Sequence, residues 1–298
     1  MTALIRADER GGRLTSEAGT GDAANKPDQI EDIEIELLLE GIFRVYGADF
    51  RNYAAASLKR RIQESMRAEG IATISGYQER VLHERAAVER LLMRLSIHVT
   101  SMFRDPNFYH TFRRKVVPIL RTYPRLRIWH AGCASGEEVY SMAILLQEED
   151  LYDRATLYAT DISKDVLRKA RDGIFPLASM QEFTANYQKA GGKRQFSDYY
   201  TAQYDNVIFH PGIKQNLVFL EHNLVTDGSL NEFHVILCRN VMIYFNKILQ
   251  RRVHELIYDS LTMFGIFGIG NKESLRFTSH ESFYKELDSE IRIYQKIK

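Results

Sequence analysis

The feature that most constrains this chain is the stretch Ile128-Trp129-His130-Ala131-Gly132-Cys133-Ala134-Ser135-Gly136-Glu137-Glu138. An apolar, strand-like run passes into a loop of small residues holding two glycines, and a helical pattern starts at once. Glycine permits a tight turn and lets backbone approach a nucleotide-like ligand closely. The rhythm on either side agrees with this unit. Strand-like segments at about 125–130, 156–160, 218–220, 234–238 and 264–269 alternate with helical ones at about 137–147, 163–171 and 247–262. Ser163 stands where an N-cap is wanted. Such alternation predicts an α/β fold, a doubly wound and mostly parallel sheet with its site at the strands' C-terminal ends. One more strand is expected within 290–298.

The N-terminal third reads differently. Residues 1–30 are rich in Gly, Ala, Thr and charge without apolar periodicity, which predicts a disordered tail. From Ile30 apolar residues crowd a helical stretch that stops at Gly47. A second helix is expected over about 55–68, with Leu58, Ile62 and Met66 on one stripe and Gly70 as its C-cap. Arg60 and Arg67 share another face of it, flanked by Lys59 and Arg61. Short helices follow at about 77–83 and 86–95. Residues 31–97 thus read as a small all-α domain and 98–298 as a larger second one.

Composition removes several classes. Forty basic against 39 acidic residues leave a net charge of +1, so no global field draws nucleic acid or an anionic membrane. Two cysteines, Cys133 and Cys238, form no CxxC pair, and the histidines show no ligand spacing. Neither a disulfide framework nor a metal site is expected. Apolar runs fall far short of a membrane span, and the first residues carry no signal-like apolar core. A cytoplasmic monomer is the expectation.

The glycine loop lacks both the GxGxxG of a dinucleotide site and the GK[ST] of a P-loop. Two carboxylates, Glu137 and Glu138, occupy the helix start where a phosphate would otherwise sit. They either complement the helix dipole or face a neutral or cationic ligand. Asp161 closes the next strand, where an acid can accept hydrogen bonds from both ribose hydroxyls or cap the following helix. Loop and acid together favour a nucleoside cofactor without pyrophosphate. S-adenosylmethionine meets that description; a nicotinamide dinucleotide does not.

Four blocks then carry a resemblance: Val99-Thr100-Ser101-Met102-Phe103-Arg104-Asp105, the 131–138 loop, Ala159-Thr160-Asp161-Ile162, and Cys238-Arg239-Asn240-Val241-Met242-Ile243-Tyr244-Phe245. In order and spacing the chain, over about 31–298, resembles the CheR family of chemotaxis-receptor glutamate O-methyltransferases. The resemblance implies a Rossmann-like methyltransferase domain with a small antiparallel β insertion at about 192–217. It implies S-adenosylmethionine as cofactor, held by His98, Thr100, Arg104, Gly132, Glu138, Asp161, the pair Asn223-Leu224, and Arg239-Asn240. Arg104 and Tyr244 are implied near the methyl group and substrate. The helical domain would dock an acidic receptor helix through Lys59, Arg60, Arg61 and Arg67. Three positions depart from the family pattern: His98 for Asn, Val139 for Pro, and the segment Gly270-Asn271-Lys272-Glu273-Ser274. Some members capture a receptor's C-terminal peptide on the β insertion. Here that segment is shorter and has no turn glycine, so a tether-independent protein is expected. Other readings are a non-catalytic module that binds S-adenosylmethionine or S-adenosylhomocysteine, and a small-molecule methyltransferase.

Overall fold

The computed structural model describes residues 26–95, 100–276 and 278–298. His98 therefore lies outside the described residues. Four helices form the N-terminal unit: α1 (Lys26–Tyr46), α2 (Ala55–Glu69), α3 (Ile74–His83) and α4 (Arg85–Leu95). The helix begins at Lys26, inside the stretch read as a tail, with Pro27 in its first turn, where a missing N–H costs nothing. Leu58, Ile62 and Met66 are buried against Leu38, Ile42, Tyr77 and Leu91, as the stripe on α2 requires. Gly70 ends α2 with φ 69°, and its N–H donates to the carbonyls of Arg67 and Met66.

Short helices α5 (Pro106–Thr111) and α6 (Val117–Leu120), joined by a π-helical turn, lead into the sheet domain. Its first half runs β1 (Leu126–Ala131), α7 (Glu137–Glu148), β2 (Ala155–Asp161) and α8 (Lys164–Asp172). The chain then leaves the main sheet through β3 (Ile174–Pro176), α9 (Met180–Lys189), β4 (Tyr200–Gln203), β5 (Asn206–Phe209) and α10 (Pro211–Lys214). It returns as β6 (Leu217–Glu221), β7 (Phe233–Cys238), α11 (Lys247–Ser260), β8 (Leu261–Ile269), β9 (Tyr284–Asp288) and β10 (Ile293–Lys296).

The main sheet has the order β6-β2-β1-β7-β8-β10-β9. Its first five strands are parallel, whereas β10 runs antiparallel to β8 and β9 antiparallel to β10. Strands β1 and β7 are buried on both faces, which is why they read as apolar runs and not as alternating patterns. Each fully buried Ile, Leu or Val there contributes about 1.5–3 kcal/mol of transfer free energy. The chain order reverses at β1, which has β2 on one side and β7 on the other. A crevice opens at such a switch point, outside the strands' C-terminal ends.

Two expectations need correction. The small antiparallel sheet has the order β3-β5-β4, so the insertion starts at Ile174 and not near 192. Its first strand is three residues long, too short for any periodicity, and is held by Phe175 buried opposite Val207. The C-terminal end supplies two strands where one was expected, because β9 is a five-residue edge strand whose charged residues outweigh its apolar ones. Among the described residues no helix is long and apolar enough to cross a membrane.

Candidate active site

A cleft opens at the switch point. Every described residue singled out for cofactor or catalysis lines it: Thr100, Arg104, Gly132, Glu138, Asp161, Asn223, Leu224, Arg239, Asn240 and Tyr244. The N-terminal unit contributes Tyr53 and Leu95 to the same wall.

The glycine loop explains itself once folded. Gly132 has φ 75°, and a Cβ there would lie 2.6 Å from Val241 Cγ2, so any side chain would push the β7 loop away. Gly136 has φ 95° and lets the start of α7 pass Ala170 of α8. Asp161, the last residue of β2, accepts from the Ala134 N–H through Oδ2 and from the Ser163 N–H through Oδ1, each at 3.0 Å. Ser163 does sit at the N-cap of α8, yet its side chain makes no cap bond. Asp161 lines the cleft, and each of its oxygens has capacity to accept one further bond.

The paired glutamates divide. Glu137 is buried away from the cleft, where Ser135 Oγ donates to it, and burial pushes its carboxyl up. Glu138 faces the cleft. Burial alone would raise its pKa, but the His130 hydrogen bond (2.9 Å) and the Arg239 guanidinium (3.0 Å) outweigh that and hold it below the usual carboxylate range. Arg239, with its side chain 1% exposed, also donates to Asp105 Oδ2 at 2.9 Å and to the Arg104 carbonyl, and lies 4.0 Å above the Phe108 ring. It thereby ties the start of α7 and the end of β7 to the loop that carries Arg104. In that loop Phe103 (φ 50°) and Asp105 (φ 55°) both adopt the left-handed region. Such strain is tolerated where the surroundings over-determine it, here through Ser141 Oγ on the Phe103 N–H and Arg239 on Asp105.

Asn240 is likewise left-handed (φ 60°). The residue holding it is Glu273, whose buried carboxylate accepts from the N–H groups of Gly270, Asn240, Val241 and Met242. Sequence reasoning marked its segment only as a departure. A lone glutamate 32 residues from the loop it holds sends no local signal. Tyr53 was missed for a similar reason. It reaches the cleft through a bridge with Phe245, ring against ring at 5.0 Å, beside the Ala54 N–H to Tyr244 carbonyl bond of 2.8 Å.

The expected basic face of α2 is only partly present. Arg61 is 7% exposed; it donates to the carbonyls of Arg94 and Leu95 at the end of α4 and lies 5.3 Å from the Tyr244 ring centre. It belongs to the interior and not to a docking face. Lys59 is half-buried against Glu31 of α1 at 2.8 Å. Arg60 and Arg67 do face solvent, with Glu64 exposed between them.

Comparison with known proteins decides the family. The family model of the CheR methyltransferase SAM-binding domain matches residues 98–292, and that of the CheR all-alpha domain matches residues 33–96. The chain belongs to the CheR methyltransferase family. It is 47% identical over 265 residues to Cher3 of Pseudomonas putida, a protein named provisionally as a methyltransferase, covering 89% of this chain and 97% of that one. It is also similar to the chemotaxis protein methyltransferase of Listeria innocua, 26% identical over 83% of this chain and 92% of the relative. Chemotaxis protein methyltransferase 2 of Pseudomonas aeruginosa is 28% identical over 83% and 88%. This CheR protein is thus an S-adenosylmethionine-dependent methyltransferase, with a mostly parallel sheet, an all-α N-terminal unit and a small antiparallel sheet.

Proposed function

We propose that the protein methylates glutamate side chains of an acidic, helical, chemoreceptor-like protein, forming methyl esters. The observation that carries this is the meeting of Arg104 and Tyr244 with Asp161 and Glu138 in one cleft, walled by Tyr53 of the helical unit. The similar proteins named as chemotaxis methyltransferases support the choice of substrate.

The donor set suits S-adenosylmethionine. Asp161 would accept from the ribose diol, while Leu224, Ile162 and Val225 offer an apolar wall to the base. Glu138 and Asn240 would meet the cationic amino end and Thr100 or Arg104 its carboxylate. Two carboxylates, Glu137 and Glu138, occupy the first turn of α7 where a pyrophosphate would otherwise lie, which fits this group and not a dinucleotide. When bound, the cofactor supplies a methyl group on a positively charged sulfur.

The chain's own contribution is orientation and exclusion of water. A glutamate side chain, with a pKa of about 4.3, is already ionised at neutral pH and needs no general base. Arg104, carried on its strained loop, would pair with and orient a carboxylate, of the acceptor or of the cofactor's amino-acid end. Tyr244, on the cleft wall with its carbonyl held by the Ala54 N–H, would offer a hydroxyl at the reacting end. Alignment of this kind supplies several kcal/mol of a barrier, on the order of 7–11 at best. Arg60 and Arg67 are the docking cations that remain on α2.

The test is transfer of labelled methyl from S-adenosylmethionine to membranes of cells that carry this chain, with alkali-labile label marking glutamyl ester. Tyr244→Phe should bind S-adenosylhomocysteine normally yet transfer more slowly. Binding without any transfer by the unmodified protein would leave a signalling module in place of an enzyme.

A further inference from the structure

The start of α11 breaks a local rule. Helix N-termini favour acidic residues, because unsatisfied N–H groups leave partial positive charge there. Helix α11 has no acid in its first turn; Lys247 opens it, and Arg251 and Arg252 follow one turn later. All three are exposed, and among the described residues their side chains have neither ion pair nor hydrogen bond. In their midst stands Ile248, 69% exposed and the most open aliphatic side chain among the described residues. Positions 247, 248, 251 and 252 share one helix face at i, i+4 spacing. A rule broken without internal compensation marks a functional site more often than an error.

The ridge begins three residues after Tyr244, which lines the cleft. Asn246 caps α11, its side chain accepting from the Ile248 and Leu249 N–H groups, and its own N–H donates to the Asn52 carbonyl at 2.9 Å. Tyr244 is two residues upstream. The first turns of α2 and α11 thus leave one junction beside Tyr244.

We propose that the exposed face of Lys247, Ile248, Arg251 and Arg252 is a docking surface for the methyl-accepting protein itself. The occupant is an acidic amphipathic helix, whose carboxylates meet the three unpaired cations while an apolar residue covers Ile248. This rests on the glutamate-methyltransferase reading and extends it, giving the acceptor a contact on the sheet domain besides α2. Three free cations around one open aliphatic residue suit a carboxylate-bearing helix better than a phosphate backbone, to which Ile248 would contribute nothing.

The experiment compares the full chain with K247E/R251E/R252E, with the charge-keeping K247R/R251K/R252K, and with Ile248→Ser. It follows alkali-labile methyl transfer to acceptor-bearing membranes at several salt concentrations. The charge reversal should raise the apparent KM for acceptor about tenfold, flatten its salt dependence and leave kcat and calorimetric S-adenosylhomocysteine affinity unchanged. The charge-keeping variant should behave as the unmodified protein, and Ile248→Ser should raise KM about threefold. An unaltered KM in the charge-reversed protein overturns the docking surface while the function stands. Binding of the unmodified protein to protein-free vesicles with 30% phosphatidylglycerol, lost on charge reversal, would assign the ridge to lipid and overturn it too. If the unmodified protein transfers no alkali-labile methyl although it binds S-adenosylhomocysteine, the glutamate reading itself fails, and this docking surface fails with it.

Discussion

Asp161 is where a single side chain does most for the cleft. It holds the glycine loop through Ala134 and the start of α8 through Ser163, and on the proposed reading it would also accept from the ribose diol. Asp161→Ala should weaken S-adenosylmethionine and S-adenosylhomocysteine ten- to a hundredfold, about 1.5–3 kcal/mol for hydrogen bonds to a charged group. Calorimetry reads this directly, and affinity within twofold of the original would remove Asp161 from the binding set. A second residue speaks to stability. Burial pushes the His254 pKa down to about 4, so the folded protein keeps it neutral where the unfolded chain, near 6.5, takes up a proton. Between pH 6.5 and 4 the unfolded state binds more protons, so stability falls as pH falls. The loss approaches roughly 3 kcal/mol below pH 4. Urea midpoints measured from pH 7 to 4.5 should therefore decline, and His254→Phe should flatten that decline. Equal slopes would show that other groups dominate.

At the scale of elements, the strand–loop–helix unit was legible because its glycines have a local reason to be there. The structure adds what each one faces. A Cβ at Gly132 meets Val241, on the loop that Glu273 holds beside Asn240 and Tyr244. Gly132→Ala should therefore displace two parts of the cleft at once. We expect a tenfold or larger loss of cofactor affinity with the helical content unchanged, measured by calorimetry beside far-ultraviolet circular dichroism. Near-normal affinity would mean that Val241 yields without moving the loop. Helix α2 teaches the opposite lesson. Its buried stripe and Gly70 cap were readable from spacing, but the fate of its cations was not. Arg61 turns inward to the carbonyl end of α4, an element far away in sequence, and Lys59 is taken by an acid on α1.

Across the whole molecule, the helical unit and the sheet domain share one wall of the cleft through Tyr53 and Phe245, while the small sheet packs Phe175 and Phe209 on Tyr140 of α7 and has β4 as one edge. The β4–β5 turn is tight, with Tyr204 taking φ 53° where a glycine would be easier, and its side chain is 90% exposed. With no small residue at that turn for a second backbone to approach, we expect no specific binding of peptides matching the C-termini of the host's receptors. Micromolar binding abolished by changes at 204–206 would overturn this. The glycine turn and the strand-end Asp161 were legible because each depends on neighbours within a few positions, the parallel α/β class because strand and helix patterns alternate along the chain, and the residues around Tyr244 through the family resemblance of their block. Tertiary structure alone decided the rest: that Glu273 grips the Asn240 loop, that Glu137 and Glu138 part company, that β3 opens the insertion, and that Tyr53 reaches the cleft. Those outcomes depend on which distant backbone groups and charges come within about 3 Å of one another, and hydrogen bonds and burial act at that range.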